Sequence, residues 1–361
     1  MNKRVILSIC GLLFLSTVGM SQTKNVDIDN VYIEYTYRTF PVFPQTPRYY
    51  CYAVNVNTSA VAEQNIPAES IQDSIRIEGE QYVDNPHDAK LVLTVSVGDI
   101  YIKSSNVVQE TSEGKPVGFF HTEIVYSPEA SYTVKEDTTT LMHRDLYRHE
   151  VAYKLSSKSY TTRKAVADWW ENNREVIKSG LYRKLRHDFT QEVTYRASQE
   201  FGFPTEKQFI EPFGGVSGLL KTTDEKKHKE NAAFRDNTER LKKAISYVTE
   251  NLPLDYVDIA PIVHYYDSIP MKYTDEKLKA DIHLRYAAWF NLCQIYYILD
   301  QPEKVQKYAL LLVQNAYKEK DGDRFIALAQ KKAKELKRLG IPTTHFDPPT
   351  YFNGTSKSEL Y

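Results

Sequence analysis

Cysteine is scarce. The chain of 361 residues has three, and Cys10 lies inside the first apolar run. That count excludes a small scaffold stapled by disulfides. Cys51 and Cys293 fall in different halves, each in apolar surroundings, and two buried free thiols are expected. A surplus of one charge is also missing: 46 Lys and Arg face 47 Asp and Glu. A general nucleic-acid binder needs a basic footprint to displace counterions, so that class is excluded. Beyond Met20 no apolar run approaches the roughly 20 residues that cross a bilayer, so no membrane span is expected there.

What the N-terminus does have is an export pattern. Lys3 and Arg4 precede an uncharged stretch from Val5 to Met20, and Gly19 and Ser21 place small residues before Gln22. Positive, apolar and small in that order predict a signal peptide over 1–21. The protein is therefore expected to be exported, to the periplasm or cell envelope or to the outside.

The front half reads as strands. Val31, Ile33, Tyr35 and Tyr37 alternate with polar residues, and Tyr50, Tyr52, Val54 and Val56 repeat the pattern. Residues 60–71 suit a short helix, and Ile75 and Ile77 a brief strand. Residues 90–102 carry the strongest β signal, with Gly98 where a bulge would shift the face. Residues 107–118 read as a polar turn region, and 119–134 and 147–155 as further strands, about six in all by this period-two reading. The 27 tyrosines suit a half-buried sheet and also suit binding surfaces.

Near Thr161 the period changes. Val166, Trp169, Trp170, Ile177, Leu181, Leu185, Phe189 and Val193 recur every three or four residues. They predict a long amphipathic helix, or two meeting at Ser179-Gly180. Residues 203–220, rich in Gly and Pro, read as a loop. Helices follow over 235–251, 256–268, 274–299, from Pro302, and over 325–339, where Gly340 fits a terminal cap. The fold expected is α+β: a mixed or antiparallel β domain (22–160), a long helix and connecting loop (161–220), an all-α domain (221–341) and a C-terminal tail (342–361), mobile beyond His345.

Within the all-α part, Trp289, Leu292 and Tyr296 space one helix, and Val305 and Ala309 the next. This pair, 288–316, resembles a tetratricopeptide hairpin. Cys293 stands where that family has Gly, Val305 where it has Ala, and Ala309 where it has an aromatic. The resemblance implies a helical stack whose concave face binds a peptide or protein, and it implies no chemistry. The export signal, tyrosine-rich sheet and helical hairpins together resemble exported proteins of Gram-negative bacteria.

Motifs that carry chemistry fail on spacing. In Gly214-Gly215-Val216-Ser217-Gly218 the serine is followed directly by Gly218, so a nucleophile elbow is excluded. Lys221 stands too far from Gly218 for a phosphate loop. His143 and His149, six apart, do not make a helical zinc pair. No catalytic, metal or cofactor residue is therefore expected. The function expected is a non-enzymatic envelope scaffold binding a protein partner, with Arg285, Gln294 and Tyr297 as exposed contacts near the hairpin. The alternative is a glycan- or peptide-binding protein that stacks ligand on Tyr35, Tyr37, Tyr50 and Tyr52; a hydrolase whose residues meet only in the fold is the third.

Overall fold

The computed structural model describes residues 26–43, 51–148, 150–218 and 226–348. In chain order the elements are β1 (Val26–Asn30), β2 (Ile33–Arg38), β3 (Cys51–Thr58), α1 (Ala60–Asn65), α2 (Ala68–Gln72), β4 (Gln81–Tyr82), β5 (Leu91–Val97), β6 (Tyr101–Ser112), β7 (Lys115–Ser127), β8 (Ala130–Glu136), β9 (Thr139–Tyr147) and β10 (Tyr153–Ser156). Then come α3 (Arg163–Phe201), β11 (Thr205–Ile210), β12 (Phe213–Gly218), β13 (Lys226–Lys227), α4 (Asn231–Ile245), α5 (Tyr256–Lys272), α6 (Lys279–Ile298), α7 (Pro302–Gln314) and α8 (Glu319–Leu339). The architecture is α+β, with mixed and antiparallel sheets in front and packed helices behind. The predicted signal segment lies outside the described residues.

A five-stranded sheet in the order β4-β3-β5-β8-β9 carries the first core. β3 and β5 run parallel, and α1 and α2 make the crossover that such a pair requires. Alternate residues of β5 are buried, as a period-two strand dictates. On them lies α3, whose Leu181, Leu185, Phe189, Val193, Ala197 and Phe201 recur every fourth residue and are all buried. The helix is single and runs straight through Gly180, since an isolated glycine costs a helix only about 1 kcal/mol. Ile75 and Ile77 form no strand; both are buried in this core from a loop.

Two expectations about turns do not hold. β5 ends at Val97, and at Gly98 the chain leaves the sheet rather than bulging within it. Residues 107–118 are the outer part of a long β6–β7 hairpin whose turn is only Glu113-Gly114, both at positive φ. This outer part is mostly exposed, so apart from Val107, Val108 and Val117 it carries few large apolar residues and looks like a loop in sequence. Residues 147–155 likewise divide between the end of β9 and the start of β10.

As far as it is described, to Gly218, the region 203–220 is not a loop. β11 pairs with β2 from Thr205↔Arg38 to Ile210↔Ile33, and β12 pairs with β1. Gly214 is needed there because a side chain would collide with Val31 Cγ2. Ile33, Tyr35, Ile210 and Phe213 then join the core of the helical region.

That second core is built around α6. From Leu284 to Ile298 nearly every residue is buried, and a helix enclosed on all sides takes apolar residues on all sides. Neighbours in sequence pack in pairs along α4–α8. Cys293 and Ala309 are fully buried where α6 and α7 approach, as the need for small residues there predicts, and Val305, larger than the Ala of the repeat, is buried with them. Cys51 and Cys293 are both free thiols, Cys51 half-buried and Cys293 buried. Gly340 caps α8 at φ 65°.

Beyond Gly340 the chain packs onto the body as far as the described residues run, and past His345, where mobility is expected, Phe346 is buried. Ile341, Thr344, His345 and Phe346 are buried. Arg38 draws this segment to the rest: Nε donates to Phe346 O (2.8 Å), Nη1 to Phe203 O (2.7 Å) and Nη2 to Asn251 Oδ1 (2.6 Å).

Candidate functional site

The first concavity lies on the helical region. Its floor is α6, through Arg285 and Trp289; one wall is the end of α5 and the following turn, through Pro270, Thr274 and Glu276; the other is the end of α7, through Leu311, Gln314 and Asn315. The cavity measures about 510 Å³, within the size range of ligand pockets. Trp289 is half-buried and Gln314 and Glu276 are exposed, so an apolar ring sits between polar rims.

The three expected contacts are not exposed. Arg285 is 7% and Gln294 5% accessible, and Tyr297 is half-buried. Gln294 Oε1 accepts from the backbone N–H of Glu211 at 2.7 Å, holding the β11–β12 connection onto α6. Tyr297 lies under Lys332, whose Nζ is 3.9 Å from the ring centroid, and burial and Asp300 push its phenol up to about 12. The reason is the all-round burial of α6, which a one-face helical reading does not anticipate. Arg285 alone of the three lines the cavity.

The guanidinium of Arg285 is fixed by neutral acceptors. Nε donates to Asn315 Oδ1 (3.1 Å), and Nη1 donates to the carbonyls of Tyr273 (2.8 Å) and Asp275 (3.2 Å). Tyr273 caps the C-terminus of α5 and Asn315 that of α7. Two helix C-termini thus converge on one cation, which suits their dipoles. Asn315 Nδ2 in turn donates to Ile282 O at 2.8 Å, which fixes its orientation.

A second concavity runs between β9 and α3. His143 to Arg148 line one side without interruption, and Asp188, Gln191, Glu192, Tyr195 and Arg196 line the other, at the spacing of one helical face. Its volume is about 1110 Å³. Tyr147 and Tyr153 lie 5.8 Å apart on its floor, and Tyr195 is exposed. Burial and Asp188 push the Tyr147 phenol up to about 12. The carboxylates pair with cations three or four residues away: Asp145 with Arg148, Asp188 with Lys184, Glu192 with Arg196. Arg144 Nη2 bridges to Glu200 Oε1 across the two walls. Sequence reasoning named none of this cleft's tyrosines as ligand contacts, since only the fold sets β9 against α3.

The tyrosines expected to stack a ligand do not form a platform. Tyr35 and Tyr52 are buried in different cores, at 3% and 1% accessibility; Tyr37 is half-buried, with its hydroxyl donating to Glu206; Tyr50 lies outside the described residues. His143 engages Thr133 Oγ1 (2.8 Å) and Asp145 Oδ1 (3.1 Å), and the side chain of His149 lies outside the described residues. Among the described residues no group of three or more His, Cys, Asp and Glu gathers as a metal site requires. No helix among them is long and apolar enough to cross a membrane. In comparison with known proteins, the chain matches no family model and no curated sequence.

Proposed function

We propose that this is a non-enzymatic interaction protein of the cell envelope, whose tetratricopeptide-like helical stack binds a protein partner. One observation carries the reading. The groove across α6 holds a half-buried tryptophan, Trp289, between polar rims, on the very hairpin whose spacing resembles that repeat. Tryptophan and arginine are the residues on which binding energy concentrates at interfaces. The export pattern at the N-terminus supports an envelope location.

The test is a tagged pull-down from detergent-solubilised envelope with mass spectrometry. A near-stoichiometric partner lost on Trp289→Ala, in a variant that still melts cooperatively, is expected. A partner retained by that variant, or recovery of the protein alone across mild detergents, overturns the reading.

A glycan-binding reading has its own observation, the cleft where Tyr147, Tyr153 and Tyr195 meet carboxylates and arginines. On that reading a glycan array gives specific signals that Tyr195→Ala abolishes. An array without signal removes it.

A further inference from the structure

We propose that Lys332 and Asp300 condense into an internal isopeptide bond, an amide between Nζ and Cγ that joins α8 covalently to the end of α6. The bond is independent of the groove and of what the groove binds.

Lysine is almost never fully buried unless it is paired. Lys332 lies inside α8 with its side chain only 8% exposed, and the Asp300 side chain beside it has no exposed surface. Nζ is 2.5 Å from Oδ1 of that carboxylate. Its other acceptor is the neutral carbonyl of Tyr297 at 2.8 Å, and the Tyr297 ring covers it with the centroid 3.9 Å away. Water is thus kept from the amine and from the carboxylate. Burial lowers the proton affinity of Lys332 more than Asp300 and Glu335 raise it, which draws the amine toward its neutral, nucleophilic form.

The carboxylate is held from the side away from the amine. Oδ2 accepts from Thr343 Oγ1 (2.8 Å) and Thr344 N (2.6 Å), and the Thr344 hydroxyl lies 2.9 Å from Oδ2 and 3.0 Å from Oδ1. Donors gathered on one oxygen steady the negative charge that builds there when a nucleophile attacks the carbon.

The step balances within the pair. One proton passes from the ammonium to Oδ1 along the hydrogen bond between them. The freed lone pair of Nζ attacks Cγ, and charge builds on Oδ2. A second proton moves from Nζ to Oδ1, the Cγ–Oδ1 bond breaks, and one water leaves. Ammonium and carboxylate become amide and water, with no oxidant and no co-reactant. Two charges that are costly to bury disappear. The residues are 32 positions apart, so the bond closes a loop around α7 and the first part of α8. It constrains the unfolded chain as a disulfide would, in a protein whose Cys51 and Cys293 are both free.

The experiment is the mass of the full chain under denaturing and reducing conditions, with both termini read from a digest of the same sample. The native chain is expected to be lighter than its sequence by one water. A tryptic digest should contain a branched peptide that joins the segment of Asp300 to that of Lys332 and is uncut after Lys332. Lys332→Arg keeps the cation but replaces the amine, so it should show the full mass and no branched peptide. Thr344→Val removes one donor and should slow the appearance of the branched peptide in freshly made protein by about tenfold or more. Full mass in the native chain overturns the proposal, whether or not any variant folds. A missing water without the branched peptide, as a succinimide elsewhere would give, also overturns it. So does a branched peptide that forms equally in Lys332→Arg. Closure of Thr344→Val at the native rate overturns the part assigned to that hydroxyl.

Discussion

Lys332 Nζ lies 2.5 Å from Asp300 Oδ1, and the aspartate side chain has no exposed surface. The pair is not isolated. Asp300 also accepts from Thr343 Oγ1 (2.8 Å), Thr344 N (2.6 Å) and Thr344 Oγ1, and Lys332 donates to Tyr297 O (2.8 Å). Asp300, two residues past the end of α6, thereby holds both α8 and the segment after it.

Removing one partner leaves the other charge buried and alone. Lys332→Met and Asp300→Asn should each cost about 3–5 kcal/mol. Urea unfolding checks this. A loss below about 1 kcal/mol would show the pair to be open to water, as surface pairs are.

Arg38 is the corresponding tie for the other side of that segment. Arg38→Met strips donors from Phe203 O, Phe346 O and Asn251 at once. Each such bond to a charged group contributes about 1.5–3 kcal/mol, though not additively. The expected signature is local: amide exchange at Phe346, whose N–H donates to Glu250 O, should accelerate more than exchange in β5. Uniform acceleration would place Arg38 in the global unfolding unit instead.

These ties explain why the tail misleads in sequence. Residues after Gly340 carry no helical or strand period, and beyond His345 the stretch reads as free chain. What holds them is Asp300, Arg38 and Thr249, distant in sequence. The same limit hid β11 and β12, where Gly214 and Gly215 signal a loop although Gly214 is there for close packing against Val31. The strong periods were legible: the alternation in β5, the four-residue stripe of α3, the α6–α7 hairpin and the Gly340 cap. Arg285 was expected to be exposed and is buried, because periodicity on α6 does not reveal that all sides of it are covered.

His345 should make stability pH-dependent. Burial lowers its affinity for a proton, more than its bond to the Thr249 carbonyl and the nearby Asp300 raise it, and Lys332 lowers it further. The folded value thus sits below the ordinary one of about 6.5, and protons favour the unfolded chain. Stability is full above about pH 6.5 and falls as the pH drops through the lower folded value. Urea midpoints between about pH 7.5 and about pH 5.5 should decline in the native protein and decline less in His345→Gln. Parallel declines in the two would assign the slope to other groups.

Gly214→Ala should destabilise by about 1–3 kcal/mol, the usual cost of overpacking, since the added methyl meets Val31 and lies 3.2 Å from Thr238 Cγ2. Val31→Ala in the same chain should recover part of the loss. Melting temperatures of the single and double variants decide, and simple additivity would locate the strain elsewhere.

β2 lends Ile33 and Tyr35 to a core whose other members are made some two hundred residues later. During synthesis the first-made strands wait for β11 and β12 before they have an edge to join, and loop closure of that length is slow. The helical region, for its part, is made with a vacant seat that only the earliest residues fill. Cut anywhere between β2 and β11, the protein yields two pieces, neither complete, and the C-terminal piece alone should expose Ile210 and Phe213, the partners of Ile33 and Asn30, to whatever apolar strand it meets. Supplied in trans, a peptide of residues 26–43 becomes the missing strand pair, which turns a folding constraint into a handle for assembling the protein from halves.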